Sequence, residues 1–435
     1  MDIVDNNAWP RLDLILGAKT YKSNRLRLFA IVALALLVAG TYWTSLPGRQ
    51  PPGKKYRVYI GTYTSRDGKG IYLCSLDATG KMQAAGLASG GRLWQSKTVP
   101  LGRIPARVLG QIRADWPDVT TMVMGVHDPA NLAVHPNGHY LYTANQQTAG
   151  TVSAFRIDRE SGRLVRLNTE LSGGDSPAFL AVDHTGNFLL VANYGGTVAV
   201  LPIDPDGRLR PATTVIQQGD GELLPAHPSR AHAMVLSPDN RFALVTDIGL
   251  DRVFVYRFDA TKGELSPNHP AFVSAPAGGA PRHFIFHPNG QFGYAIGESS
   301  SCVMAMRWDA QRGVLTTIQT VSTLPPDFHR ENAGADISID PSGRFLYASN
   351  RGHDSIAVFA IDSATGKLTS VQIEPSYGSR PSNLLMNPDG NYLFASNVAS
   401  NNVVRFHIDR QTGRLDPIES FGIPSPMAMV LWPPG

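Results

Sequence analysis

A unit of about fifty residues recurs along most of this chain, and that recurrence limits the possible folds more than any other feature. Six copies open at Val134, Val182, Leu236, Phe286, Ile339 and Met386; the first reads VHPNGHYLYTANQQTAGTVSAFRIDRESGRL and the fifth IDPSGRFLYASNRGHDSIAVFAIDSATGKL. A seventh, incomplete copy, VYIGTYTSRDGKGIYLCSLDATGKM, opens at Val58. The turn residues Pro136, His184, Pro238, Pro288, Pro341 and Pro388 stand 48, 54, 50, 53 and 47 residues apart. In each copy a short apolar strand ends at a Pro/Asn/Asp/Gly turn. An aromatic-rich strand follows, such as Tyr140-Leu141-Tyr142, and then a third strand, as at Val152, Ala154, Phe155 and Ile157. That strand ends at Asp158-Arg159-Glu160-Ser161-Gly162, a type I turn closed by glycine, and a fourth strand begins near Leu164. Four antiparallel strands per unit make a propeller blade.

The two ends of the repeat complement each other. The first copy lacks its innermost strand, while Ser425-Pro426-Met427-Ala428-Met429-Val430 reads as an innermost strand without a blade. A solenoid would cap such ends; joining them removes the exposed edges. The expected fold is all-β, a seven-bladed β-propeller of four-stranded antiparallel blades, closed by the N- and C-terminal strands in one blade.

Outside the repeats the chain changes character. The net charge of +4 is uneven: residues 1–55 hold eight Lys/Arg against three Asp, and residues 90–125 hold five against two, which leaves the body mildly acidic. That distribution argues against a nucleic-acid partner. Leu28 to Trp43 is an uncharged apolar run behind Lys22, Arg25 and Arg27, the pattern of a secretory signal or a short signal-anchor. Residues 1–45 are therefore expected to direct export, with 46–55 as linker and 56–435 as the propeller. The basic flank places the N-terminus in the cytoplasm and the body outside it, periplasmic or membrane-anchored if the segment is uncleaved. Residues 90–125 form an Arg-rich insertion without strand alternation, expected to be a surface lobe. Cys74 and Cys302 are too few for a disulfide scaffold or a cysteine zinc site.

Repeats carry their own control, because positions that only build blades should agree between copies. Six positions before the turn residue, where the innermost strand begins, stand Ala130, Ala178, His232, Arg282, Ala335 and Ser382. Ten positions after it, where the second strand ends, stand Gln146, Tyr194, Ile248, Glu298, Arg351 and Val398. Charged or titratable groups occur only at His232, Arg282, Glu298 and Arg351, in three successive blades and at one end of the antiparallel pairs. They should converge at one mouth of the central channel. Two guanidiniums can seat a carboxylate or phosphate or offset an oxyanion, and a His beside a Glu offers an acid and a base. His283, Asp336 and His353 are expected to support them from behind. Asn145, Asn193, Asn350 and Asn397, the recurrent Asp158, Asp204, Asp259, Asp309, Asp362 and Asp409, and His135 and His287 read as turn or structural residues. No metal-ligand spacing, phosphate loop or nucleophile elbow is present, so neither metal nor cofactor is expected.

At these residues the chain resembles the seven-bladed propeller lactonases, the family of the bacterial 6-phosphogluconolactonase and the fungal carboxymuconate-cyclising enzyme. The resemblance runs from about Val58 to Leu431 apart from the insertion. It is carried by VYIGTYTSRDGKGIY, GGAPRHFIFHPNGQFGYAIGESS and ADISIDPSGRFLYASNRGHDSIAVF. It implies that His232, Arg282, Glu298 and Arg351 line an active site. Where the family often has Pro-Arg-Asn-Phe this chain has Pro381-Ser382-Asn383-Leu384, so Asn383 is kept and Arg380 is the expected substitute for the missing arginine. A frequent Ala-Glu-Ile is here Ala335-Asp336-Ile337.

The expected activity is metal-independent hydrolysis of a sugar lactone, with 6-phosphogluconolactone as the substrate that the resemblance implies. Glu298 or His232 would take a proton from water and the other would protonate the leaving ring oxygen, while Arg282 and Arg351 hold the anion. Two rivals are a muconate-type lactonising enzyme and a non-catalytic extracytoplasmic binding propeller. The expected partners are a small anionic lactone and, if the leader is retained, the membrane; otherwise the chain is expected to be a monomer.

Overall fold

The computed structural model describes residues 56–77, 80–87, 98–100, 126–219 and 228–432. The expected leader and linker, and most of the 90–125 insertion, lie outside the described residues. Among the described residues no helix is long and apolar enough to cross a membrane.

Strands form seven antiparallel sheets. The innermost strands, from blade 1 to blade 7, are Pro426–Trp432, Pro129–Val134, Pro177–Val182, Ala231–Leu236, Pro281–Phe286, Ala333–Ile339 and Pro381–Met386. Each packs on the next and the seventh on the first, closing a ring. Blade 1 closes as the ends of the sequence imply: Pro426–Trp432 pairs antiparallel with Tyr56–Thr62, with Arg57 opposite Trp432 and Tyr59 opposite Val430. Inner-ring closure therefore depends on hydrogen bonds between residues more than 360 positions apart.

Strand alternation supplies the cohesion. A blade lies between two others, so both of its faces are buried and its strands read as continuous apolar runs. In blade 3, Val198 and Val200 enter the core shared with blade 4, whereas Ala199 and Leu201 enter the core shared with blade 2. The apolar side chains divide into seven clusters, one at each blade junction. Burying one large apolar side chain contributes about 1.5–3 kcal/mol, so each junction is held independently of the channel.

The recurrent polar residues tie blade to blade. The hydroxyls of Tyr59, Tyr142, Tyr294 and Tyr347 donate to Gly162, Gly207, Gly366 and Gly413 of the following blade at 2.7–3.2 Å. His135 and His287 donate through Nε2 to Gly186 and Gly343 of the next blade, at 2.8 and 2.7 Å. Asp158, Asp259, Asp362 and Asp409 accept backbone N–H bonds within their own hairpin turns. These residues recur because each blade needs them.

The insertion departs from expectation. Thr98–Pro100 forms a fifth strand on the outer edge of blade 7, with Thr98 opposite Phe421 and Pro100 opposite Glu419. An outermost strand exposes unpaired backbone groups, and the insertion covers part of one.

Candidate active site

Every innermost strand carries a bulge where it begins. The pairing register shifts around Met427, Ala130, Ala178, His232, Arg282 and Ser382, and across Ala335–Asp336 in blade 6. A bulged residue leaves the ladder and its side chain is re-aimed. Here the bulges surround one mouth of the channel, beside the ends of the second strands.

The result is a cavity of about 180 Å³, lined by His232, Arg282, His283, Glu298, Arg351 and Asn383 on one side. Tyr63, Ala130, Gln146, Ala178, Tyr194 and Met427 stand opposite or at the rim. Two larger hollows, of about 540 and 710 Å³, lie among the turns at the other end of blades 2–4. Their charged side chains pair with each other at the surface, as in Arg210–Asp204 at 2.5 Å and Arg241–Asp239 at 2.7 Å. The smaller cavity is where titratable groups converge, which is the mark of a chemical site.

Both guanidiniums meet one oxygen. Arg351 Nη2 donates to Glu298 Oε2 at 2.6 Å, and Arg282 Nε lies 3.0 Å from the same oxygen as an ion pair without hydrogen-bond alignment. Arg282 Nη1 donates to the carbonyl of Ala335 at 2.6 Å, and Arg351 Nη2 also reaches Gly334 O at 3.3 Å. Backbone proximity makes this possible: a Cβ on Gly334 would stand 2.3 Å from Gly297 O, so only glycine lets blades 5 and 6 approach so closely beside Glu298. Arg282 Nη2, Arg351 Nη1 and Glu298 Oε1 have no hydrogen bond among the described residues and remain available to a ligand.

The electrostatics follow from this packing. Burial alone would raise the Glu298 carboxyl, but Arg282 and Arg351 override it and hold it below the usual range. Burial, with Arg351 alongside, pushes Arg282 down to about 10. His232 is 8% exposed, and its Nδ1 is buried without a partner. Burial first, then Arg282 and His283, hold its imidazole well below the ordinary value, so it is neutral at neutral pH. Its ring meets the edge of Tyr194 at 6.0 Å and lies 5.1 Å from the ring of His283.

His283 stands in the cavity wall, not behind it. Its Nδ1 is 2.6 Å from Asp336 Oδ1, and Asp336 sits behind the wall, accepting from Ile337 N, Leu384 N and Asn383 Nδ2 at 2.7–2.8 Å. Arg380 does not reach the cavity, and His353, expected behind the wall, contacts none of His232, Arg282, Glu298 and Arg351. Arg380 has φ 59° and occupies the left-handed turn position before the bulge, shared with Asp128, Ser176, Ala280 and Ser425; its side chain is exposed and does not replace the missing arginine. His353 binds Ser355 Oγ at 2.7 Å and packs on Phe328, away from the wall.

Tyr63 escapes the count from turn residues because its copy has none from which to count. Tyr59 plays the part of Tyr142 in its blade, and four residues beyond each stand Tyr63 and Gln146, which hydrogen-bond at 3.2 Å. Aligning on the recurrent tyrosine finds it.

A family model described as "Lactonase, 7-bladed beta-propeller" matches residues 116–431. The 6-phosphogluconolactonase of Bacillus subtilis is 31% identical over 334 residues, 76% of this chain and 85% of its own length. That of Formosa agariphila is 34% identical over 264 residues, 58% of this chain and 73% of its own. Among solved structures, a periplasmic gluconolactonase of Pseudomonas aeruginosa superposes with a TM-score of 0.73 at 28% identity, covering 88% of this chain and 100% of that one.

Proposed function

We infer the reaction from kinship and geometry together: the chain belongs to the lactonase family of seven-bladed β-propellers. It is a lactonase, and the reaction is hydrolysis of a sugar lactone. The names of the two relatives favour 6-phosphogluconolactone as the substrate, opened to 6-phosphogluconate. The observation that carries the assignment to this cavity is the pair of guanidiniums fixed on Glu298 Oε2 with Arg282 Nη2 and Arg351 Nη1 left unengaged. Those N–H groups are preorganised donors for a lactone carbonyl whose oxygen gains charge when water adds, and such donors typically supply about 10²–10³-fold in rate.

The proton chemistry differs from the simplest expectation. Glu298 is held ionised by its guanidiniums and His232 is held neutral by burial, so neither carries a proton to give at neutral pH. The leaving ring oxygen must then receive the proton that the attacking water loses. Glu298 fixes the two guanidiniums, and an imidazole on the wall carries the proton.

An exported location is supported by the periplasmic relative and by the basic-then-apolar segment up to Trp43. The decisive assay is hydrolysis by the purified propeller of 6-phosphogluconolactone, gluconolactone and a muconate-type diacid, side by side. Release of acid from a lactone is expected. Turnover of the diacid alone would overturn the reading, and the ratio between the two lactones sets the substrate.

A further inference from the structure

We propose that His283, oriented by Asp336, is the catalytic base and proton carrier of this lactonase; the proposal rests on the lactone reading above. The first ground is tautomer control. Asp336 Oδ2 receives Leu384 N and Asn383 Nδ2, and its Oδ1 receives Ile337 N and faces His283 Nδ1 at 2.6 Å. A carboxylate held by three other donors accepts from Nδ1–H, so the lone pair of His283 is on Nε2. Arg282 Nη1, 3.4 Å from Nε2, lies on the side where a donor belongs.

The second ground is what happens on protonation. His232 has no carboxylate partner, and its Nδ1 is buried and unpaired. A proton there would add an uncompensated charge beside Arg282, which a buried site resists. A proton on His283 would be balanced by Asp336 across a 2.6 Å contact. The groups that face His283 are Arg282 on its own strand, His232 from blade 4, Phe179 from blade 3, and Asp336 and Arg351 from blade 6. Only Asp336 among them stabilises the imidazolium.

The third ground is the repeat. At the same place in blade 2, Asn131 Oδ1 accepts Leu180 N of the next innermost strand at 3.0 Å; in blade 7, Asn383 Oδ1 accepts Met429 N at 2.9 Å. Tying neighbouring strands is the ordinary work of this position. Asp336 does the same for Leu384 N and, in addition, holds a histidine that lines the cavity.

In the step that follows, the water oxygen bonds to the lactone carbonyl carbon as its proton passes to His283 Nε2, and the carbonyl oxygen takes the negative charge facing the guanidiniums. When the tetrahedral species collapses, the bond from carbon to ring oxygen breaks. The proton on Nε2 moves to that oxygen and returns His283 to its starting state. The product is a hydroxy acid whose carboxyl ionises to solvent.

The test is steady-state hydrolysis of gluconolactone and 6-phosphogluconolactone across pH by wild type, His283→Gln, His283→Ala and Asp336→Asn, with folding checked by thermal melting. His283→Gln is expected to lower kcat by about 10²–10⁴-fold with little change in KM, because a positioned acid–base group is lost. Asp336→Asn should lower kcat less and move the acid limb of the kcat profile to lower pH, since the imidazolium loses its counter-charge. Added imidazole should restore part of the turnover of His283→Ala, which a purely structural role would not allow. If wild type is active and His283→Gln stays within about threefold of it, the proposal is wrong and the lactone reading stands. If His283→Gln does not fold, an unmoved pH limb in Asp336→Asn overturns it instead. A wild type that opens neither lactone overturns both.

Discussion

The two halves of the channel mouth share a backbone and differ in chemistry. In blades 4 to 6 the bulge and the second-strand end present His232, Arg282, Glu298 and Arg351; in blades 1 to 3 the same places hold Met427, Ala130 and Ala178, with Tyr63, Gln146 and Tyr194. The small residues show that the propeller needs no charge there. The charged half carries a cost that the other avoids at these positions: Arg282 Nε, Arg351 Nε and His232 Nδ1 are buried without an aligned partner. Such groups weaken a fold, and the junction cores must offset them. The mouth thus pairs a charged wall with one of aromatic, small and amide side chains, and on the proposed reading the ester of the lactone turns toward the charges.

Among tests of this division, the largest effect should come from making the charged wall resemble its opposite. Arg282→Ala puts in blade 5 the residue that blades 2 and 3 have. It removes one unengaged donor and half of the clamp on Glu298, and kcat/KM for an anionic lactone should fall by about 10²–10³-fold. The melting temperature should drop only slightly, through the lost bond to Ala335 O. Unchanged kinetics would mean that the asymmetry of the mouth has nothing to do with catalysis.

Much of this was readable from the residues alone. The turn residues mark the repeat, the apolar residues Val152, Ala154, Phe155 and Ile157 of one strand serve the cores on both faces of a blade, and the complementary ends require closure. His232, Arg282, Glu298 and Arg351 stood out because the other blades have no use for charge in those places. What the pattern hid was the bulge. Regular alternation puts neighbouring residues on opposite faces, so His283 should point away from Arg282; the register shift between Pro281 and His283 lets both face the cavity. Asn383 beside Ser382 and Asn131 beside Ala130 enter the wall by the same device. Arg380 failed as a substitute because its place in the repeat is a left-handed turn that points outward. The strand at Thr98–Pro100 has no local pattern of its own and forms where blade 7 offers an open edge.

A smaller effect should follow from changing the quieter wall. Tyr194 lines the cavity, presents its ring to His232 at 6.0 Å and supports the Arg230 guanidinium at 5.6 Å on the ring. Tyr194→Ala should remove contact area that ground state and transition state share. KM should rise about tenfold, the worth of one or two buried methylenes, while kcat changes little. A loss confined to kcat would place Tyr194 in the reacting half and erase the division drawn above.

The smallest effect is on stability, and it separates His232 from Ala178 at the equivalent place in blade 3. The folded imidazole is held well below its ordinary value of 6.5 by burial and by Arg282, so the unfolded chain binds a proton that the folded chain refuses. Stability should therefore decline as pH falls below 6.5, and continue to decline until the folded group titrates. Glu298 has a linkage of the same sign in a lower window: its lowered pKa favours the folded state above about 4.5, and that support fades only as pH falls below it. Between pH 8 and 5 the histidine contribution stands nearly alone of the two. At pH 5 it is limited by the interval from 6.5, about 2 kcal/mol. His232→Ala should flatten the dependence of melting temperature on pH over that range. His283, shifted in the same direction but with Asp336 opposing the shift, should leave a weaker slope. Parallel curves for wild type and His232→Ala would show that the imidazole is as free to protonate in the folded ring as in the unfolded chain, and that the charged half of the mouth is wetter than its burial implies.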